Sequence, residues 1–148
     1  MKSLSKALGL LLLFCLSTIN FSCTKEAVSA TIESVTLTKF PTQNNGVNWD
    51  LLDGADPYIE IYSEGVLLYT SSAHSNAEIS QNQAFLDINL ILNDLSKPLE
   101  IRVLDKDQIT EDQQMGNVSF DLSDSEKTII SIENTDIAVE IEVSWTFE

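Results

Sequence analysis

Basic residues are scarce in this chain, 8 Lys and Arg against 23 Asp and Glu in 148 residues, and the formal charge is −15. Protein–nucleic acid affinity rests on neutralised phosphates and released counterions, so this charge balance excludes nucleic acid as a partner. The electrostatic partners that remain are cations. Nitrogen and sulfur ligands are scarcer still: 1 His and 2 Cys, one Cys inside an apolar run, leave no ligand set for a zinc site. Helical periodicity is missing too, since no eleven-residue window beyond the amino-terminal segment carries a 3.6 repeat. There is no internal repeat, no low-complexity tract and no interdomain linker. The length and a hydrophobic content of 43% suit one small globular domain and exclude a second large one.

The start of the chain has another purpose. Lys2 and Lys6 give a positive opening, and Ala7 to Leu16 is an unbroken apolar run. That run has the length of a signal-peptide core and is too short to span a bilayer as a helix. The segment Ser17-Thr18-Ile19-Asn20-Phe21-Ser22-Cys23 follows, with a small residue directly before a Cys. It resembles a bacterial lipobox, with Asn20 where Leu is usual and Phe21 where a small residue is commoner. The resemblance implies cleavage before Cys23 and acylation of its thiol and new amino terminus. Two or three acyl chains, at about 0.8 kcal/mol per buried methylene, would anchor the protein without any spanning helix.

Cleavage would leave 6 basic and 23 acidic residues, a net charge of −17 over 126 residues. Cys15 would be lost and Cys23 consumed by lipid, so no intramolecular disulfide is expected. The expected organisation is a signal peptide over 1–22, a lipidated Cys and polar tether over 23–30, and one domain over 31–148. Lys25-Glu26 resembles the basic-then-acidic signal of surface-exposed bacterial lipoproteins. The expected location is the bacterial cell envelope, anchored by lipid to the outer membrane and open to surface exposure.

Past the tether, periodicity two dominates. Ile32 to Phe40 is rich in β-formers, and Tyr58 to Ser63 alternates apolar and polar residues. A turn at Glu64-Gly65 leads into Val66 to Thr70 and predicts a hairpin. Phe85 to Leu92 places Leu86, Ile88, Leu90 and Leu92 on one face, and Leu99 to Leu104 repeats the pattern. Val118 to Leu122, Thr128 to Ile132 and Ile137 to Phe147 complete about eight strands. Short strands with one apolar face predict an all-β fold, an antiparallel β-sandwich.

The acids are not evenly spread. Asp50, Asp53 and Asp56 form one group and Asp105, Asp107, Glu111 and Asp112 another, each between strands. Carboxylates crowded in a loop raise one another's pKa unless a cation sits among them. Ca²⁺ takes six to eight oxygens in a flexible shell at about 2.3–2.6 Å, and would relieve the repulsion. Asp also ends strands and starts turns for local reasons. Spacing alone leaves both readings open, and the spacing of an EF-hand is absent.

The order of the pieces is more specific. Asp50-Leu-Leu-Asp-Gly-Ala-Asp56-Pro57-Tyr58 places an Asp six positions before an Asp-Pro-Tyr that opens a strand. Leu99 to Asp107 is a strand ending in Asp-x-Asp, followed by Asp112 and by Met115-Gly116 before the next apolar run. This order resembles the first and third calcium loops of the C2 domain, a calcium- and lipid-binding family, and the resemblance spans roughly residues 32–147. Asn82 to Leu90 stands where that family has its Asn-Pro-x-Trp-x-Glu strand, without the Trp and Glu. The resemblance implies an eight-stranded C2-like sandwich holding one to three Ca²⁺ ions at one edge. One strand precedes the first loop and a long one closes the chain, so the permuted topology, with the extra strand at the C-terminus, is expected. The implied ligands are Asp50 and Asp56 from the first loop, and Asp105, Asp107 and the Lys106 carbonyl from the third. The family's last acid falls on Gln113, with Asp112 one residue earlier. Asp112 or the additional Asp53 would serve in its place.

Leu51, Leu52 and Ile109 stand at loop tips beside the acids, where membrane-docking members expose apolar residues and where local packing is the alternative. Tyr58 to Ser72 contains no Lys or Arg, which argues against phosphoinositide recognition. His74 lies in a polar segment without a nucleophile motif and is expected to be a solvated loop residue. Trp49 is expected at a loop edge and Trp145 in the core. The expectation is a non-catalytic module, held to the membrane through acyl chains on Cys23. Its calcium loops would engage phospholipid or a protein partner. The alternative is a structural or interaction sandwich without a metal site.

Overall fold

β-Branched and aromatic residues alternate with polar ones along most of the chain, and each such run is a strand. The computed structural model describes residues 25–44, 46–49, 54–78, 80–107, 111–123 and 127–148. The strands are β1 (Ala27–Lys39), β2 (Gln43–Asn44), β3 (Val47–Asn48), β4 (Pro57–Ser63), β5 (Val66–Thr70) and β6 (Gln83–Phe85). They continue with β7 (Leu90–Leu92), β8 (Leu99–Asp105), β9 (Gln113–Phe120), β10 (Ile129–Glu133) and β11 (Ala138–Phe147). Among the described residues no helix is long and apolar enough to cross a membrane.

Two antiparallel sheets make the sandwich. One runs β10-β11-β1, with β6 and β7 both paired to the far side of β1. The other runs β5-β4-β8-β9, and β2 and β3 form a separate small hairpin. With β6 and β7 taken as one interrupted strand, each sheet has four, the expected eight. Of the strands in the two main sheets, a single one, β1, precedes the first acidic loop, and the closing strand β11 lies beside it, as the permuted order requires.

The core is the sum of inward parities. Ile32, Val35, Leu37, Val139, Ile141 and Val143 from the first sheet meet Ile59, Ile61, Ile101 and Val103 from the second, all at 2% exposure or less. Each such side chain contributes about 1.5–3 kcal/mol on burial.

Four expectations shift. β1 begins at Ala27 within the expected tether, because Ala27 to Ala30 pair with the end of β11 and Ala30 is buried. The expected continuous strand from Phe85 to Leu92 is broken. Asp87 and Asn89 take positive φ of 57° and 50°, and four residues, 86–89, oppose only Glu33 and Ser34 of β1. Asn and Asp tolerate that left-handed geometry better than other non-glycine residues, and Leu86 is turned out to solvent at 64% exposure. His74 is half-buried rather than solvated, with its ring edge-on to Phe85 at 4.7 Å and Nε2 3.1 Å from the Ala84 carbonyl. Trp145 is partly buried against the core, its indole N–H donating to the Lys127 carbonyl at 3.0 Å.

Candidate functional site

The start of β4, the end of β8 and the start of β9 meet at one end of the sandwich, through the pairs Pro57 with Asp105 and Asp105 with Gln113. Along β8, Leu99, Ile101 and Val103 point inward, and the same parity carries Asp105 into the interior, where it is fully buried. A buried carboxylate is tolerable only where hydrogen bonds compensate for lost water. The Asp56 backbone N–H donates to Asp105 Oδ1 at 2.6 Å.

Asp56 is fixed in turn. Its carbonyl accepts the Lys106 N–H at 3.0 Å, and its Oδ1 accepts the Asn76 N–H at 2.6 Å. Gly54 lies close against residues 76 and 77: a Cβ there would stand 3.2 Å from the Asn76 carbonyl carbon and 3.3 Å from the Ala77 oxygen. The close approach lets the Ala77 N–H reach the Ala55 carbonyl at 2.7 Å. The acid is therefore locked to β8 on one side and to the 76–77 turn on the other.

The third-loop acids are cross-braced. The Asp107 N–H donates to Asp112 Oδ1 at 3.1 Å, and Gln113 Nε2 to Asp107 Oδ2 at 3.4 Å. Asp112 Oδ2 accepts both the Tyr58 hydroxyl at 2.9 Å and the Lys106 ammonium at 2.8 Å. Lys106 Nζ also lies 5.6 Å above the Tyr58 ring. Lys106 holds the Asp112 carboxyl below its ordinary range, with help from Tyr58 and the Asp107 amide and against some desolvation. Burial, and then the hydrogen bond to Asp112, push the Tyr58 phenol well above its ordinary value.

The structure thus brings Asp56, Asp105, Asp107 and Asp112 to one end. Asp50, Asp53, Leu51, Leu52, Ile109 and Cys23 lie outside the described residues. Glu111 is exposed. Trp49 caps the neighbouring loop, its indole N–H donating to the Pro41 carbonyl at 2.8 Å. Tyr58, Asn76 and the Lys106 side chain belong to the site although sequence reasoning passed them over. Tyr58 stands beside Asp56 in the Asp-Pro-Tyr triplet and Lys106 between two Asp, which was the available signal.

The donor chemistry fits a hard divalent cation, since the acids supply oxygen alone. Among the described residues, however, no three His, Cys, Asp or Glu side chains group as a metal centre. Several of the carboxylate oxygens already accept hydrogen bonds. A full shell of six to eight oxygens would need donors from the first loop as well.

A family model described as C2 domain matches residues 38–136. No curated protein matches the chain. Among solved structures, one described as the structure of a C2 domain is similar with a TM-score of 0.57 and 14% identity, over 81% of this chain and 97% of that one. Another, BON1-C2B, has a TM-score of 0.51 and 16% identity, over 82% of this chain and 93% of that one. Human GIVD cytosolic phospholipase A2 in complex with methyl gamma-linolenyl fluorophosphonate has a TM-score of 0.52 and 18% identity, over 82% of this chain but 18% of that one. At such identities the structures speak to fold alone.

Proposed function

The chain belongs to the C2 domain family, and from that premise we propose that it is a lipid-anchored envelope protein that binds Ca²⁺ and uses it to associate with a membrane or a protein partner. The observation that carries this reading is the convergence of Asp56, Asp105, Asp107 and Asp112 where β4, β8 and β9 meet. Asp56 and Asp107, with Asp50 and Asp53 from the first loop, would hold the ion against the buried Asp105. Bound calcium would supply positive charge to a domain that is otherwise strongly acidic. Without it, the net charge of −17 on the mature chain repels an anionic surface. The lipobox-like Ser22-Cys23 supports anchoring, and no residue constellation calls for catalysis.

A second reading has a specific observation in its favour. The Lys106–Asp112 ion pair already neutralises one of the acids, as it would in an interaction sandwich that takes no metal. Thermal unfolding of the whole mature chain carrying Cys23→Ser, in Ca²⁺ and in chelator, separates the two. A cation that binds only the folded state, at about a hundred times its Kd, adds about 2.7 kcal/mol. In a domain of this size that raises Tm by several degrees or more. An unchanged Tm at millimolar Ca²⁺ would leave the metal-free sandwich as the correct reading.

A further inference from the structure

Lys106 is one of only six basic residues in the chain after Cys23 is taken as its start, and it stands between two acids of the site. Its backbone and its side chain do different things. The amide is fixed, donating to the Asp56 carbonyl at 3.0 Å. The ammonium reaches back to Asp112 Oδ2 at 2.8 Å, the same oxygen that accepts the Tyr58 hydroxyl. Asp112 Oδ1 is taken by the Asp107 N–H. Asp112 therefore already accepts three hydrogen bonds of the about four a carboxylate can take, one of them from a cation, and has less to offer an incoming ion. Its engagement is nonetheless reversible at one point. The Lys106 side chain is 55% exposed and that of Asp112 20%, so the ammonium can move into water without burying or stranding a charge.

We infer that Lys106 is a tethered counter-ion of the calcium site. It neutralises Asp112 while the site is empty of metal, and a divalent cation displaces it, freeing Asp112 for the ion and releasing the ammonium to solvent beside the loop. The inference rests on the calcium reading above and adds its regulation. A doubly charged ion outcompetes a single ammonium at the same carboxylate on Coulomb grounds.

The consequence is a closed cycle. Because the pair exists only in the metal-free form, whatever it adds to that form it subtracts from calcium affinity. A part-exposed pair sets the factor at about twofold to fivefold.

The test is calcium titration by calorimetry of the mature chain carrying Cys23→Ser, beside the same chain with Lys106→Gln and with Lys97→Gln. Melting is followed in chelator and in saturating Ca²⁺. Lys106→Gln keeps the backbone carbonyl and replaces the ammonium by a shorter, uncharged amide. Lys97, paired with Glu64 at 2.9 Å beyond the opposite end of β8, controls for net charge. Lys106→Gln is expected to bind Ca²⁺ about twofold to fivefold more tightly. It should also melt below the parent in chelator and level with it in Ca²⁺, while Lys97→Gln leaves the affinity unchanged. Equal or weaker binding by Lys106→Gln overturns the inference while the parent's own binding keeps the calcium reading. Binding by Lys106→Gln alone overturns the displacement, since the ammonium would then hold Asp112 against the ion in the native chain. Binding by neither overturns both.

Discussion

Asp105 is buried for a reason that begins with strand parity: it continues the inward series of Leu99, Ile101 and Val103 past the end of the core. Its charge is stabilised by the Asp56 N–H at 2.6 Å, and Asp56 is itself braced by Asn76. The two acids therefore act as one rigid unit. Replacing either by its amide keeps the shape and removes a unit charge from the place where an ion would sit. Asp56→Asn and Asp105→Asn are each expected to weaken Ca²⁺ binding at least about tenfold, roughly 1.4 kcal/mol. The exposed Glu111, changed to Gln, should have less than about a twofold effect. Calorimetric titration of the three variants beside the parent decides it, with metal-free melting to check folding. Equal small effects at all three would mean a diffuse acidic surface. The positions of these acids were legible in the sequence because two motifs fix them locally, Asp-Pro-Tyr and Asp-x-Asp. The Tyr58 hydroxyl and the Lys106 ammonium were not, since both reach Asp112 across a loop and sequence distance says nothing of such closure. His74 was misjudged for a similar reason. Its polar neighbours hid the edge-on contact with Phe85, eleven positions away.

Strands were easiest to read where turn chemistry sits beside them. Glu64-Gly65, at φ of 49° and 79°, supplies the two positive φ values of a type I′ hairpin, and β4 and β5 fall where alternation put them. The interruption between β6 and β7 was hidden because Leu86, Ile88 and Leu90 alternate like a strand. Only the left-handed Asp87 and Asn89 betray the break. The early start of β1 was equally invisible, for it depends on Phe147 and Trp145 more than a hundred positions away. β9 shows the same dependence on distant packing. The register slips between Val103, paired with Gly116, and Leu104, paired with Gln114, leaving Met115 as the extra residue, two positions from Gln113 at the site. Gly116 is needed there for space, since a Cβ would stand 2.7 Å from Cγ2 of Ile137, a fully buried side chain. Gly116→Ala is expected to cost about 1–3 kcal/mol through overpacking. Urea unfolding measures it, and an unchanged midpoint with an unchanged slope would show that Ile137 yields freely.

At the scale of the whole molecule, charge and tether act against each other. Cleaved before Cys23, the chain would carry −17 and be repelled from anionic lipid, so the metal-free domain would have no electrostatic reason of its own to stay at a membrane. Only Thr24, Lys25 and Glu26 separate Cys23 from the first residue of β1. At roughly 3.3–3.6 Å per residue that is a reach of little more than about 14 Å. Acyl chains on Cys23 would therefore hold the sandwich within a few Debye lengths of the headgroups, where its field is felt. Among the described residues no helix could replace that anchor. Cys23→Ser is thus expected to move the protein wholly from the membrane fraction to the soluble fraction, at low salt as well as high, because repulsion rather than attraction remains once the lipid is gone. The measurement is fractionation of cells expressing the parent and the variant, with a high-salt wash of the membranes in chelator, so that no calcium-dependent docking contributes. Retention of the variant after that wash would mean that a surface of the sandwich itself holds the bilayer, and the lipobox reading would fall.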